Sequence, residues 1–511
     1  MREFDQTIRN GGFSDSAINT PGFTTLIALL LALALGATLA LFGALPMSTL
    51  ALVLALVGGL LGALAWAAAS WPIVPILRVL LLASLAFRLE INLFPLFKYN
   101  EGLPGLNISL MLLTSVALAC AHLLARLRGK RAEQVFPVSF SLAVLALLSW
   151  CGLGLLVGDE TLLAFYAEWS LASCLLFAWA VANEFGERQR LRAAVLIIAL
   201  MVGLNGIVGT LQATTGALTE LTWLGAAKAE NRQAFGDGEI SRATGLQGMA
   251  NSCAWFLVTL LPTLLAVLLL RVRDFGVWPR RCIAGAAVAG LLALLLTYAR
   301  GSWLAFAVSF VALIALVYRV SSSAERQRFG RQLAWLTLVG LLLCLPFSGA
   351  IVTRLTEDDN GSAYSRVPLS QVAQTMIAAN PLLGVGLANY EAEMRRYDHT
   401  TERITDDFPW PVHNIFLHTA AEAGLPGLAL FLLLITLACW QGWRALQCED
   451  RLVQAVAMGL LCGVLAYLVT GLKELGSLGT PQFRVCFLCC GLLLATGRIR
   501  EQQAANWQEV Y

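Results

Sequence analysis

The chain has 511 residues, 58% hydrophobic and only 13% charged, with a mean hydropathy of +0.72 and a formal net charge of +3. A soluble domain of that length carries about a quarter charged residues and does not sustain apolar runs of about twenty. A soluble fold is therefore excluded, and so small a net charge, spread in short clusters between apolar runs, argues for membrane topology and no nucleic acid partner.

The sequence reads as an all-α polytopic membrane protein. Runs long enough to cross about 30 Å of hydrocarbon predict about fourteen helices, or about twelve if two early runs are re-entrant or interfacial. They lie near residues 24–45, 48–69, 73–97, 107–125, 135–157, 162–182, 192–213, 252–270, 282–298, 302–318, 333–352, 424–443, 452–471 and 479–497. The first, Thr24 to Leu45, is too long for a signal-peptide core and reads as a retained span. The third is interrupted by Arg78, Arg88, Glu90 and Asn92. The 12 cysteines fall mostly inside apolar runs and lack metal-ligand spacing, so they read as small buried residues.

Four connections are basic: those holding Arg126/Arg128/Lys130/Arg131, Arg188/Arg190/Arg192, Arg271/Arg273/Arg280/Arg281 and Arg319/Arg326/Arg328/Arg331. They alternate with connections that are acidic, balanced or nearly uncharged. The positive-inside rule makes the basic set cytoplasmic, puts both termini inside, and turns two long connections outward. The expected organisation is an N-terminal bundle (1–213), a first extracytoplasmic loop (214–251), helices carrying the Arg300 segment (252–352), a large extracytoplasmic loop (353–423), and C-terminal helices with a cytoplasmic tail (424–511). Within the large loop, Ser370 to Ala379 is expected to be a short helix stopped before Asn380-Pro381. Gly384-x-Gly386 is read as a tight turn, since no strand precedes it and no third glycine follows in phase.

Polar inserts of roughly sixty residues between spans are usually functional. Three arginines stand on the outer side: Arg242 before the span at 252, Arg300 between two apolar runs with almost no loop, and Arg366 at the start of the large loop. Two guanidinium forks facing one crevice suit a diphosphate and can stabilise charge on a departing one. The bland reading is interfacial snorkelling or pairing with Glu220, Glu230 or Glu239. His413, beside Asn414 and ahead of a span, can take a proton from a sugar hydroxyl when neutral; a structural, hydrogen-bonded histidine is the alternative. His413 and His418 fall on different helix faces, so no metal pair is expected. Glu422 either marks a helix boundary or pairs with an arginine. Tyr390, Glu391 and Trp410 either contact an acceptor sugar or pack the loop.

Arg300-Gly301-Ser302-Trp303, Asn380-Pro381-Leu382-Leu383-Gly384-Val385-Gly386, and His413-Asn414 followed by Glu422-x-Gly424 together resemble the O-antigen ligase and Wzy polymerase superfamily. The resemblance covers about Arg242 to Gly427. It implies a GT-C-like fold in the bacterial inner membrane and a periplasmic active site. It also implies a metal-independent glycosyltransferase with no cofactor, using an undecaprenyl-diphosphate-linked glycan as donor. Arg242 and Arg300 would hold the diphosphate, His413 would activate the acceptor hydroxyl with inversion, and Arg366 would match a less well-defined family arginine. Asn414, Tyr390 and Glu422 join Arg366 as expected substrate contacts. The acceptor is a glycan, lipid A-core or a pilin-type protein, and other polysaccharide-assembly proteins are expected partners. The rival class is a transporter or flippase, for which Arg78, Arg88 and Glu90 would be the intramembrane site.

Overall fold

The structure, a computed structural model, describes residues 73–87, 89–96, 105–127, 136–219, 232–235, 238–356, 364–474, 478 and 481–510. The expected spans at 24–45 and 48–69, the N-terminus, Arg88, and the basic residues Arg128, Lys130 and Arg131 lie outside the described residues. The chain opens with α1 (Val74–Ala83), strands β1 (Glu90–Leu93) and β2 (Leu106–Ser109), and helices α2 (Leu110–Leu127), α3 (Val138–Gly154), α4 (Thr161–Glu184) and α5 (Arg188–Thr215). A second strand pair follows, β3 (Arg232–Phe235) and β4 (Gly238–Ser241), then α6 (Ala250–Leu269), α7 (Val277–Leu296), α8 (Arg300–Val320) and α9 (Ser323–Cys344). Next come α10 (Ser348–Thr356), α11 (Arg366–Ala379), α12 (Tyr390–Glu393) and α13 (Ile404–Asp407). The chain finishes with α14 (Ile415–Ala445), α15 (Arg451–Gly471) and α16 (Pro481–Val510).

Among the described residues eight helices, α4 to α8 and α14 to α16, are long and apolar enough to cross a membrane, and α1, α2 and α3 are shorter apolar helices. This is a multi-pass membrane protein. The expected third span is not one helix. Residues 88–93 alternate polar and apolar, the period of a strand, and β1 pairs antiparallel with β2, Glu90 opposite Ser109. The polar face of this hairpin is buried rather than lipid-facing: Glu90 pairs with Arg484 at 2.7 Å, and Asn107 Oδ1 accepts from Arg484 at 3.0 Å. Arg78 instead pairs with Glu184, which also meets His122 at 2.7 Å. Arg78 and Glu90, two of the charges named for a transport site, thus have different partners, Glu184 and Arg484. The span expected at 333–352 is likewise broken, by a turn of 3-10 helix at Leu345–Phe347 where Pro346 begins a new helical segment.

The centre of the bundle is the α6–α15 contact, with α5 on α7 and α4 on α16 around it. Gly459 and Gly463 form a GxxxG step against α6. A Cβ at Gly463 would lie 2.1 Å from the Thr259 carbonyl oxygen, and one at Gly459 would lie 2.2 Å from the Thr263 Cα. In lipid, where apolar burial does not drive helices together, such close backbone approach supplies the packing.

Helix direction alternates, so the connections sort into two ends. At one end Arg188 bridges Asp274, at 2.6 Å, and Asp450, tying three connections together, and Arg451 meets Glu325 at 3.2 Å. The described basic connections gather here. At the opposite end lie the segments around Arg242, Thr297, Arg354, His413 and Glu474.

The large loop is folded. Its helices close over a small core that includes Leu369, Val372, Met376, Tyr390, Met394 and Ile404. The expected helix at 370–379 starts earlier, at Arg366. Pro368 is tolerated because N–H groups of the first turn have no intrahelical partner. The stop at Asn380 is as expected.

Candidate active site

The turn between α7 and α8 is the floor of the site. Tyr298 adopts a left-handed φ of 51°, uncommon for a bulky residue, and the carbonyls of Thr297 and Tyr298 each accept from a guanidinium. Arg242 Nε donates to Thr297 O at 2.6 Å, and Arg354 Nε donates to Tyr298 O at 3.1 Å. The negative end of the α7 dipole favours cations at this position. Arg242 and Arg354 are both buried. Burial and the neighbouring Arg354 charge lower Arg242 to about 10, with Glu474 acting against them. Arg242 therefore stays a cation at neutral pH.

From Arg242 the contacts run on without a break. Its Nη2 donates to Asn251 Oδ1 at 2.8 Å, and Asn251 Nδ2 donates to Glu474 Oε2 at 3.0 Å. Burial raises the Glu474 carboxyl to about 7 against the pull of Arg366, Asn251 and Arg242. Arg366, at the first turn of α11, has a buried Nε with no hydrogen-bond partner among the described residues. It also faces His413, whose pKa is lowered by burial first, then by Arg366 and His418, with the Pro411 backbone acting the other way. His413 is half-buried, and its Nδ1 has no hydrogen-bond partner among the described residues. Arg242 and Arg366, far apart in the chain, therefore both act on Glu474, and Arg366 also reaches His413. Arg300 opens α8 two residues after Tyr298, and a Cβ on its neighbour Gly301 would lie 3.7 Å from the Lys473 Cβ, so its segment borders the same cluster.

The other three expected substrate contacts lie on or against α14. Asn414 caps α14, its Oδ1 accepting from Phe416 N at 3.0 Å and Leu417 N at 3.1 Å, so that oxygen is committed to the helix start. Tyr390 is fully buried and stacks on His418, ring centroids 4.9 Å apart. Glu422 is also fully buried and lies 3.5 Å from His418 Nδ1. Glu220 and Glu230 lie outside the described residues; the carboxylate in contact with Arg242's partner Asn251 is Glu474. The sequence reading missed Asn251, Arg354 and Glu474. Lys473-Glu474 was findable, as a charged pair directly after the 452–471 run on the side otherwise poor in charge.

Asn380 to Gly386 has a structural task. Helix α14 breaks at Gly424 (φ 71°, ψ 175°), and the carbonyls freed by the break are recaptured: Val385 N donates to Ala421 O at 2.9 Å and Gly386 N to Glu422 O at 3.0 Å. Leu425 N donates to Pro381 O at 2.9 Å, and Trp150 Nε1 to Ala423 O at 3.0 Å. The turn expected at Gly384-x-Gly386 is present, with both glycines at positive φ. Pro426 starts the second half of the helix, where its missing N–H costs nothing. His413 is positioned by this brace, because the outer half of α14 hangs from it.

Residues 285–432 match the family model described as O-antigen ligase. That match supports membership of the O-antigen ligase and Wzy superfamily. The matched segment includes Tyr298, Arg300, Arg354, Arg366, His413 and the Gly424 break, and the family it matches indicates ligase- or polymerase-type activity; Arg242, Asn251 and Glu474 lie outside it. No curated protein matches the chain in a sequence comparison.

Proposed function

We propose that the protein is an inverting, metal-independent glycosyltransferase that moves a glycan from undecaprenyl diphosphate to an acceptor hydroxyl at the periplasmic face of the inner membrane. The observation that carries this reading is that Arg242 and Arg366 both act on the buried Glu474 while Arg366 also reaches His413. In this reading the diphosphate is neutralised beside Glu474, by Arg242 and Arg366, with Arg354 next to Arg242 and the Arg300 segment alongside. An apolar cavity of about 310 Å³, lined by Leu291, Leu295, Trp303, Phe306 and Phe310 among others, begins next to this cluster, with Tyr298 and Trp303 rings 6.3 Å apart. It suits the isoprenoid chain of the donor. The positive-inside rule supports a periplasmic site, since the basic connections gather at the other end.

In the proposed reaction the neutral His413 imidazole takes the proton of the acceptor hydroxyl. The oxygen attacks the anomeric carbon opposite the diphosphate, and the anomeric C–O bond breaks with its electron pair leaving on undecaprenyl diphosphate. The guanidiniums stabilise that charge. Each glycosidic bond formed balances one phosphoester bond broken, so no further reactant is needed. The acceptor is a sugar hydroxyl of lipid A-core or of another glycan.

The test is transfer in proteoliposomes from a lipid-linked oligosaccharide to candidate acceptors. His413→Ala is expected to abolish product while membrane insertion persists; transfer at the wild-type rate would remove His413 from the chemistry. The pH profile gives a second check. A lowered imidazole pKa keeps His413 neutral down to below the ordinary histidine range near 6.5, so the acid limb of the rate should fall there. Arg366→Gln removes a cation that disfavours the imidazolium, and should therefore move the limb to higher pH; an unmoved limb would separate the two residues. EDTA should leave the rate unchanged, and lost activity restored by a divalent cation would contradict the metal-free reading.

A further inference from the structure

A second cavity opens at the large loop, lined by none of Arg242, Arg300, Arg354 and Arg366. It has a volume of about 380 Å³, within the roughly 300–1,000 Å³ range of small-ligand sites. Its polar wall is made by Asp159, Asn380, Glu393, Arg396 and Tyr397, and its floor by the Pro381–Val385 segment. The reverse side of that segment braces the broken helix α14 at Ala421 and Glu422. The two sites thus share one structural partition.

We propose that this cavity holds a neutral sugar ring of the glycan, at least one residue away from the bond being made. Arg396 Nη1 donates to Glu393 Oε2 at 2.8 Å, and its Nη2 lies 3.5 Å from Asp159 Oδ2. Glu393 is nearly buried while Asp159 and Arg396 are exposed, so the triad presents an outer edge that can still bond. Burial and a hydrogen bond with Asp159 raise the Glu393 carboxyl, against the pull of Arg396. Asn380 Nδ2 donates to the Tyr397 hydroxyl at 2.9 Å, leaving the phenolic proton available to donate outward. Exposed Val157 and Leu382 form an apolar rim. A pyranose has the matching chemistry: vicinal hydroxyls around its edge for carboxylates, amide and guanidinium, and C–H faces for the aliphatic rim. One guanidinium between two carboxylates leaves no excess positive charge, so a phosphate or uronate is disfavoured.

That the ring belongs to the transferred or accepting glycan rests on the proposed transfer reaction; that the cavity binds a neutral ring does not. The experiment uses the full-length protein in nanodiscs. The probes are the water-soluble glycan freed by mild acid from the source cell's lipid-linked pool, and trigalacturonate as an anionic control, read by saturation-transfer NMR and titration. The wild type should bind the freed glycan and prefer it to trigalacturonate. Arg396→Ala is expected to weaken binding about tenfold or more, as charge-assisted hydrogen bonds are lost. Tyr397→Phe, which removes one oxygen and keeps the ring, should weaken it several-fold. His413→Ala should abolish transfer but keep glycan binding. Wild-type affinity in both Arg396→Ala and Tyr397→Phe overturns the sugar site whether or not transfer occurs, as does preference for trigalacturonate. A wild type that binds the glycan through these residues but transfers none would instead overturn the reaction and leave the cavity's role standing.

Discussion

Replacing Arg242 with lysine is expected to lower glycan transfer by about 10²–10³-fold, the effect of removing one preorganised donor from a site that stabilises developing negative charge. Contacts to Thr297 O and Asn251 Oδ1 fix the plane of the guanidinium. An ammonium is a rotatable point charge and cannot keep both contacts while presenting a fork to a diphosphate. Because the side chain is buried, the variant should be compared at equal membrane abundance and with its donor KM separated from kcat. A transfer rate within a few-fold of wild type would reduce Arg242 to a clamp on the α7–α8 turn.

Gly424→Ala should cost about 3 kcal/mol or more and abolish activity, because two independent penalties fall on one atom. The residue sits at φ 71° and ψ 175°, a region open essentially to glycine alone. A Cβ there would lie 1.7 Å from the Leu382 carbonyl oxygen. Relief requires pushing the Pro381–Gly386 segment off the break, which also releases the carbonyls of Ala421 and Glu422. Thermal unfolding in detergent and protease sensitivity of the large loop read this directly. A variant as stable as wild type would mean the break is not held by this contact. Gly384→Ala is a companion case, since its Cβ would meet the Glu422 backbone at 2.4 Å.

The parts of the site that were legible in the sequence are those where charge stands out against apolar surroundings. Arg242, Arg366 and His413 were findable because they lie on the charge-poor side of a chain whose basic residues otherwise mark the other side. What stayed hidden depends on register across helices. Asn251 looks like an ordinary polar residue at a helix start, and Arg354 like the frayed end of a span. Their roles arise only when the α7–α8 turn offers two carbonyls side by side. The hairpin of Glu90–Leu93 was legible but misread, because an apolar run was counted without asking whether its polar residues alternate. Tyr390 belongs to the large loop's own core and Glu422 lies on α14 beside His418, placements set by tertiary packing that leave no mark in the sequence. Asn414, expected as a substrate contact, caps α14, which starts nine residues before the span expected at 424.

The GxxxG step has a bearing on this chemistry that its place deep in the hydrocarbon conceals. Helices α6 and α15 carry Asn251 and Glu474 at the same end, so the spacing of that amide–acid contact is inherited from how closely two backbones touch near Thr259, about 12 Å below Asn251 at 1.5 Å per residue. The pair works as a lever with its fulcrum in mid-membrane. A single methyl at Gly463 would splay the arms and loosen the anion cradle without altering any residue that meets a substrate.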